Sequence, residues 1–246
     1  MIVDMRPQIG DWDIALDGKK LANSFVVRGV DMTALPDITL NEIAVEGKPG
    51  SWFSGRQIGT REITVRLGIL NETRKRIDAL ESWMHTAWML TSDGEKKLDL
   101  GNGHYVYAVM SGRTPIERDG FWSKTAVTFT CFDPYIYGNT YEIPLVSGAN
   151  KINVMGACPT PGLFEITTHS NNFELKDTGT GKRVKLDNSG TSIPLVIDMK
   201  LRKCTQSGSY KAADPTITDF WDLQPGINNI TLQTGSGKLT YKEMYL

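Results

Sequence analysis

Residues 61–70, REITVRLGIL, constrain the chain more than any other segment. Ile63, Val65, Leu67 and Ile69 alternate with Glu62, Thr64 and Arg66. A period of two with one apolar and one polar side predicts a strand whose inner face meets a core and whose outer face meets solvent or a partner. Such a strand needs neighbours, and the flanking sequence supplies them. Residues 25–30 and 38–45 are β-branched runs bounded by Gly, Pro or Asp, and further runs follow at 97–100, 104–110 and 122–132. One helix interrupts them. Asn71 is positioned to cap it, Glu72 suits its positive N-terminal end, and the run continues to about Leu90. Ile77, Leu80, Met84, Ala87 and Trp88 form the expected apolar stripe, with Arg74, Lys75, Asp78 and Glu81 on other faces. The expected arrangement is a helix lying across a sheet.

Between the second and third strands, residues 47–59 contain four glycines and a proline, yet carry Trp52 and Phe53. An irregular or hairpin excursion is expected, with the two aromatics at its tip. Exposed aromatics on such a loop require something to pack against. They either fold back on their own sheet or meet another surface.

Asp133-Pro134 punctuates the chain, since the residue before proline is pushed out of helical geometry. The boundary is placed near residues 138–140, giving domains 1–140 and 141–246. The second contains no convincing helix. Short strands are expected at 162–168, 172–177, 183–187, 193–198, 200–205, 229–234 and 239–246, separated by turns such as 177–181 and 187–190. That spacing predicts a β-sandwich. The fold class is therefore mainly β, with a β-sandwich-like N-terminal domain carrying one α-helix.

Composition narrows the function. The 246 residues are 40% hydrophobic and 22% charged, enough apolar content for a packed core. The net charge is −1, with 16 basic and 18 acidic residues up to Thr140 and 11 and 10 beyond. Neither part is a polycation, which argues against a protein that coats DNA. Cys131, Cys158 and Cys204 are odd in number and widely spaced, so neither a disulfide framework nor a zinc pair is implied. The first residues show no secretory signal, and no run approaches the ~20 apolar residues of a membrane helix. A soluble protein made in a cytoplasm is expected, with no membrane partner.

Catalytic motifs fail one by one. Asp177-Thr178-Gly179 matches the tripeptide of aspartic proteases, but it sits in hairpin-turn composition between two short strands. The segments 179–182 and 235–238 end in Gly-Lys without the other P-loop positions and are read as hairpin tips. His85, His104 and His169 show no ligand spacing, and there is no Gly-x-Ser-x-Gly elbow. No enzyme activity, metal or cofactor is expected. Asn71 and Asn229 open glycosylation sequons, which mean little without a signal peptide. Tyr210, Phe220 and Trp221 are candidate saccharide or partner contacts in the second domain, with core packing as the competing explanation.

The order of these segments carries a resemblance. The strand 63–69 runs into the helix containing Leu80-Glu81-Ser82-Trp83. Segments 98–112 and 126–135 follow, then Pro194 to Asp198, 220–230 and the terminal YKEMYL. The succession resembles the distal tail protein (Dit) family of siphophages, the phage tail family proteins, over nearly the whole chain.

The resemblance implies a virion structural protein at the tail tip, synthesised in the host bacterial cytoplasm. It implies an N-terminal ring-forming domain and a galectin-like C-terminal β-sandwich. The ring is a homohexamer, sometimes stacked in pairs. It joins the tail tube protein to the tail-associated lysin or fibre hub protein, and DNA passes through its channel without specific binding. The second domain is sometimes an attachment point for a receptor-binding protein. Under this reading Trp52, Phe53 and Arg56 belong to an arm packing on the neighbouring subunit. The second domain spans only 106 residues, 141 to 246, with no inserted module. The alternative function is a carbohydrate-binding module for attachment to the host envelope through Tyr210, Phe220 or Trp221.

Overall fold

The computed structural model describes residues 14–20, 26–47, 49–70, 74–119, 122–187, 190, 192–211 and 218–246. The chain divides into two compact units, Met1–Ile136 and Tyr137–Tyr245. The cap assigned to Asn71 and Glu72, and the strand start at Phe25, lie outside the described residues.

The first unit runs β1 (Ala15–Leu16), β2 (Lys19–Lys20), β3 (Val26–Met32), β4 (Ile38–Ala44), β5 (Ser51–Ile58) and β6 (Arg61–Leu70). It continues through α1 (Arg74–Leu90), β7 (Lys96–Asp99), β8 (Tyr105–Ser111), β9 (Glu117–Asp119) and β10 (Trp122–Cys131). All its described pairings are antiparallel. The backbone of β6 is ladder-paired over its full length to β10 and, on its other edge, to β3. β8 changes partners along its length: Tyr105 to Ala108 face β7, and Val109 to Ser111 face β10. This switch joins two small sheets around one core.

The alternation in β6 is realised: Ile63, Val65 and Leu67 are buried, and Glu62 and Arg66 are exposed. They meet Val127, Phe129 and Cys131 of β10, Val106 of β8, and Ile77, Leu80, Met84 and Ala87 of α1. Burying each large aliphatic side chain here contributes roughly 1.5–3 kcal/mol. Trp88 departs from the expected stripe. It follows Ala87 by one residue, a rotation of about 100°, and its side chain is 60% exposed. Thr91 closes the helix: its Oγ1 donates to the Ala87 carbonyl at 3.0 Å and accepts from Met110 N at 3.3 Å, tying the helix end to β8.

The second unit contains β11 (Ile136–Val154), β12 (Leu163–Thr167), β13 (Phe173–Asp177), β14 (Arg183–Leu186), β15 (Pro194–Asp198), β16 (Lys203–Gln206), β17 (Ser209–Tyr210) and β18 (Gly226–Tyr245). One layer has the order β17-β16-β15-β12-β18-β11, and β13 pairs with both β14 and β18. The two faces enclose a core that includes Phe164, Phe173, Leu175, Leu195, Ile197, Leu232 and Tyr241, the β-sandwich expected of this half.

Two long strands correct the sequence reading. Residues 235–238 are not a hairpin tip; they lie inside β18, which runs unbroken for 20 residues. Its first half pairs with β13 and its second half with β12, so one strand serves both layers. The glycines are there for contact distance. A Cβ at Gly235 would fall 2.4 Å from the Thr167 carbonyl oxygen, and one at Gly237 would fall 2.0 Å from that of Glu165. Ser147 of β11 locks the bend: its Oγ donates to the Gly235 carbonyl at 2.8 Å and accepts from Gly235 N at 2.9 Å. β11 was not among the expected strands, and Pro144 and residues 147–150, types that disfavour a strand, lie within it. Asn150 answers them with its side chain, which bonds Val146 N, the Val146 carbonyl and the Gly148 carbonyl.

A Gly237→Ala substitution should therefore destabilise the second unit by about 2–4 kcal/mol, since the obstructing atom is backbone and cannot swing away. Denaturant unfolding followed by far-ultraviolet circular dichroism measures this, and unchanged midpoints would refute the close-approach explanation.

Candidate assembly surfaces

β4 and β5 form a two-stranded sheet of their own, separate from the rest of the fold. The sequence placed Trp52 and Phe53 at the tip of an excursion. They stand instead in β5, where Trp52 pairs with Ile43 and Phe53 with Glu42, and the connecting turn lies beyond them at 45–50. The register shifts between Asn41 and Glu42, a bulge that leaves Ser54 as the extra residue of β5.

Because paired residues share a face, one face carries Phe53, Glu42, Leu40, Arg56 and Ile38, and the other carries Trp52 and Ile43. Trp52 is 57% exposed, Phe53 70%, Leu40 65% and Ile43 55%. A lone two-stranded hairpin is marginal in water, and this one turns large apolar groups to solvent on both sides. Leu40 and Ile43 belong to this surface and were missed in the sequence, where they read as ordinary strand residues. Their pairing with β5 is what brings them beside the aromatics.

The hairpin's base is held firmly. Gly59 N donates to the Asp37 carbonyl at 2.7 Å, closing the two strands. Next to it Arg61 is fully buried. Its Nε donates to the Pro134 carbonyl at 3.0 Å and its Nη1 to the Thr33 carbonyl, while Nη2 has no described acceptor. Burial holds the guanidinium pKa below its usual value. The segment entering β4 is thus tied through one side chain to the end of β10.

The outer face of the β6–β10 ladder is polar. Thr64 Oγ1 meets Thr128 Oγ1 at 3.2 Å, and Ser111 Oγ meets Thr130 Oγ1 at 2.8 Å. Two of its cations are engaged: Arg66 pairs with Asp31 at 2.5 Å and Lys124 with Glu117 at 3.1 Å.

The remaining candidates resolve simply. Asp177 is buried in the turn between β13 and β14, where its carboxylate accepts from Gly179 N at 2.9 Å and Thr180 Oγ1 at 2.6 Å. Its oxygens are used to fix that turn. Trp221 is 4% exposed and packs against Phe164 with ring centroids 6.3 Å apart. Phe220 is half-buried against the same core. The Trp221 ring thus lies in the core, the competing explanation raised for it, and Phe220 lies partly in it. Tyr210 alone of the three is exposed, at 69%. Among the described residues, no group of three or more His, Cys, Asp and Glu side chains is arranged to hold a metal ion. No helix among them is long and apolar enough to cross a membrane.

What these surfaces define is a class: a two-unit β protein that leaves large apolar groups exposed on the β4–β5 hairpin and on α1. Residues 155–245 match the family model of the siphovirus-type tail component, C-terminal domain. Among solved structures, SPP1 Dit (gp 19.1), described as a paradigm of hub adsorption apparatus in phages infecting Gram-positive bacteria, aligns over 96% of this chain and 99% of its own, with a TM-score of 0.80 at 17% identity. A chain of the phage p2 baseplate in its activated conformation aligns over 91% of this chain and 92% of its own, with a TM-score of 0.48 at 10% identity. No curated protein matches the sequence significantly. The fold of the chain is that of SPP1 Dit, and its second unit matches a siphovirus tail component domain. Together they bear out the resemblance to siphophage distal tail proteins and support a structural role in the tail.

Burial also decides thiol chemistry. Desolvation pushes the buried Cys131 and Cys204 thiols from 9.0 up to about 12, whereas Cys158 is half-buried. The folded state keeps both buried thiols protonated while the unfolded chain ionises them. The stability they contribute is thus complete below about pH 9 and declines toward about pH 12. At pH 8 a thiol-reactive dye should label Cys158 alone in the folded protein and all three cysteines in denaturant. Native labelling of Cys131 would contradict this packing.

Proposed function

We propose that this chain is the ring-forming hub of a siphophage tail tip. The first domain, 1–140, assembles into a homohexameric ring. That ring joins the tail tube protein to a tail-associated lysin or fibre hub protein, with the second domain, 141–246, free to receive a receptor-binding protein. The observation that carries this reading is the detached β4–β5 hairpin, whose Trp52 and Phe53 stand in solvent on a rigidly anchored base. A monomer has no use for such an arm; a neighbouring subunit does. Identical subunits joined by unlike surfaces close into a ring when the rotation permits.

The polar outer face of β6 and β10 suits a channel through which DNA moves. Two of its cations are neutralised by neighbouring carboxylates, so they offer phosphates little to hold. No catalytic step is assigned to any residue.

Light scattering on the purified protein, with negative-stain images of the peak, tests the reading. Six copies of 27.3 kDa weigh about 164 kDa, and the particle should show a central hole. The Trp52→Ala, Phe53→Ala double variant should keep its fold and lose roughly 3–6 kcal/mol per joint, leaving mostly monomer at micromolar concentration. Rings formed by that variant as readily as by the parent chain would remove the arm from the joint.

A further inference from the structure

A second set of exposed apolar groups lies away from the hairpin. Along α1, Trp88 and Met89 are 60% and 61% exposed. Beside them a groove of about 540 Å³ is lined by Glu81, His85 and Met89 of the helix and by Lys19 of β2. Glu81 and Lys19 are exposed, and neither side chain has an ion-pair partner among the described residues. The arm presents the complementary pattern. On the face of the hairpin that holds Phe53 and Leu40, Arg56 is exposed with no described ion-pair partner. Glu42 lies two positions from Leu40, the residue opposite Arg56, on that same face.

Resting on the ring reading above, we infer that the β4–β5 arm of one copy docks on the α1 groove of the next copy, with Phe53 and Leu40 against Trp88 and Met89, and Arg56 facing Glu81. The reciprocal pair sets Glu42 toward Lys19. The apolar side chains of the docking face alone, Phe53, Leu40 and Ile38, expose roughly 300 Å². That is more than a third of the ~800 Å² each partner contributes to a standard interface, and the matched charges of arm and groove make a second copy the occupant. The two patches are unlike and lie on different elements, so each copy gives an arm at one joint and a groove at the other. A cation on one patch and an acid on the other fix the register of two otherwise apolar surfaces.

Charge reversal of the full chain tests this, because all the altered side chains are exposed and the fold tolerates them. Arg56→Glu and Glu81→Arg should each raise the concentration of half-assembly about tenfold or more, and the double variant should return it to within about threefold of the parent. Sedimentation over a concentration series reads these shifts, with circular dichroism confirming the fold. Rings whose assembly ignores both single reversals, or a double variant that only adds their losses, would overturn this docking and leave the ring reading standing. A parent chain that stays monomeric at every concentration would overturn both.

Discussion

A buried guanidinium holds the first unit's working part in place. Arg61 opens β6 opposite Cys131, the last residue of β10, and spends its hydrogen bonds on two main-chain carbonyls, Thr33 and Pro134. A buried cation so placed strengthens its bonds in low dielectric, but its removal would strand two carbonyls without water. The neighbouring thiol, kept protonated with a pKa near 12, adds no competing charge. The consequence is mechanical. The chain leaves the core at Thr33, forms the hairpin, and returns at Arg61, so exit and return are clamped by one side chain. An arm hinged on a loose loop would lose conformational entropy on docking; one clamped at its base loses less.

Much of this was legible in the residues, for a definable reason. Where side-chain periodicity reflects burial directly, as in β6 and in Ile77, Leu80, Met84 and Ala87 of α1, the sequence and the structure agree. Where backbone geometry decides, they part. Gly235 and Gly237 read as a turn because glycine usually punctuates, yet both are required by the approach of β12, a partner about 70 residues away in sequence that no local pattern reveals. The same holds for β11, whose breakers are neutralised by the side chains of Asn150 and Ser147 acting on backbone groups.

Three tryptophans show why the candidate site was only half readable. Trp52, Trp88 and Trp221 are chemically equivalent in a sequence. Trp221 follows a stretch that reads as loop, but it packs on Phe164 inside the sandwich. Trp88 sits one residue past a helix stripe and is carried out of it by rotation. Trp52 lies in a glycine-rich segment and remains outside because its hairpin joins no larger sheet. Composition flags all three as costly to leave in water. Only the fold separates the one that is buried from the two that are exposed.

That separation bears on assembly. The second unit buries Phe164, Phe173 and Trp221 in its core and leaves Tyr210 exposed. The first unit leaves Trp52, Phe53 and Trp88 outside, on two elements that do not share a sheet or helix. Had those groups formed one patch, self-association would favour a two-fold dimer, since a single self-complementary surface is used up by one partner. In the proposed ring, two separate patches would leave each subunit with an open site after every contact, and addition would continue until the chain of subunits met its own beginning. The rigid base at Arg61 then matters again, because closure requires the same rotation at every joint, and a swinging arm would permit many.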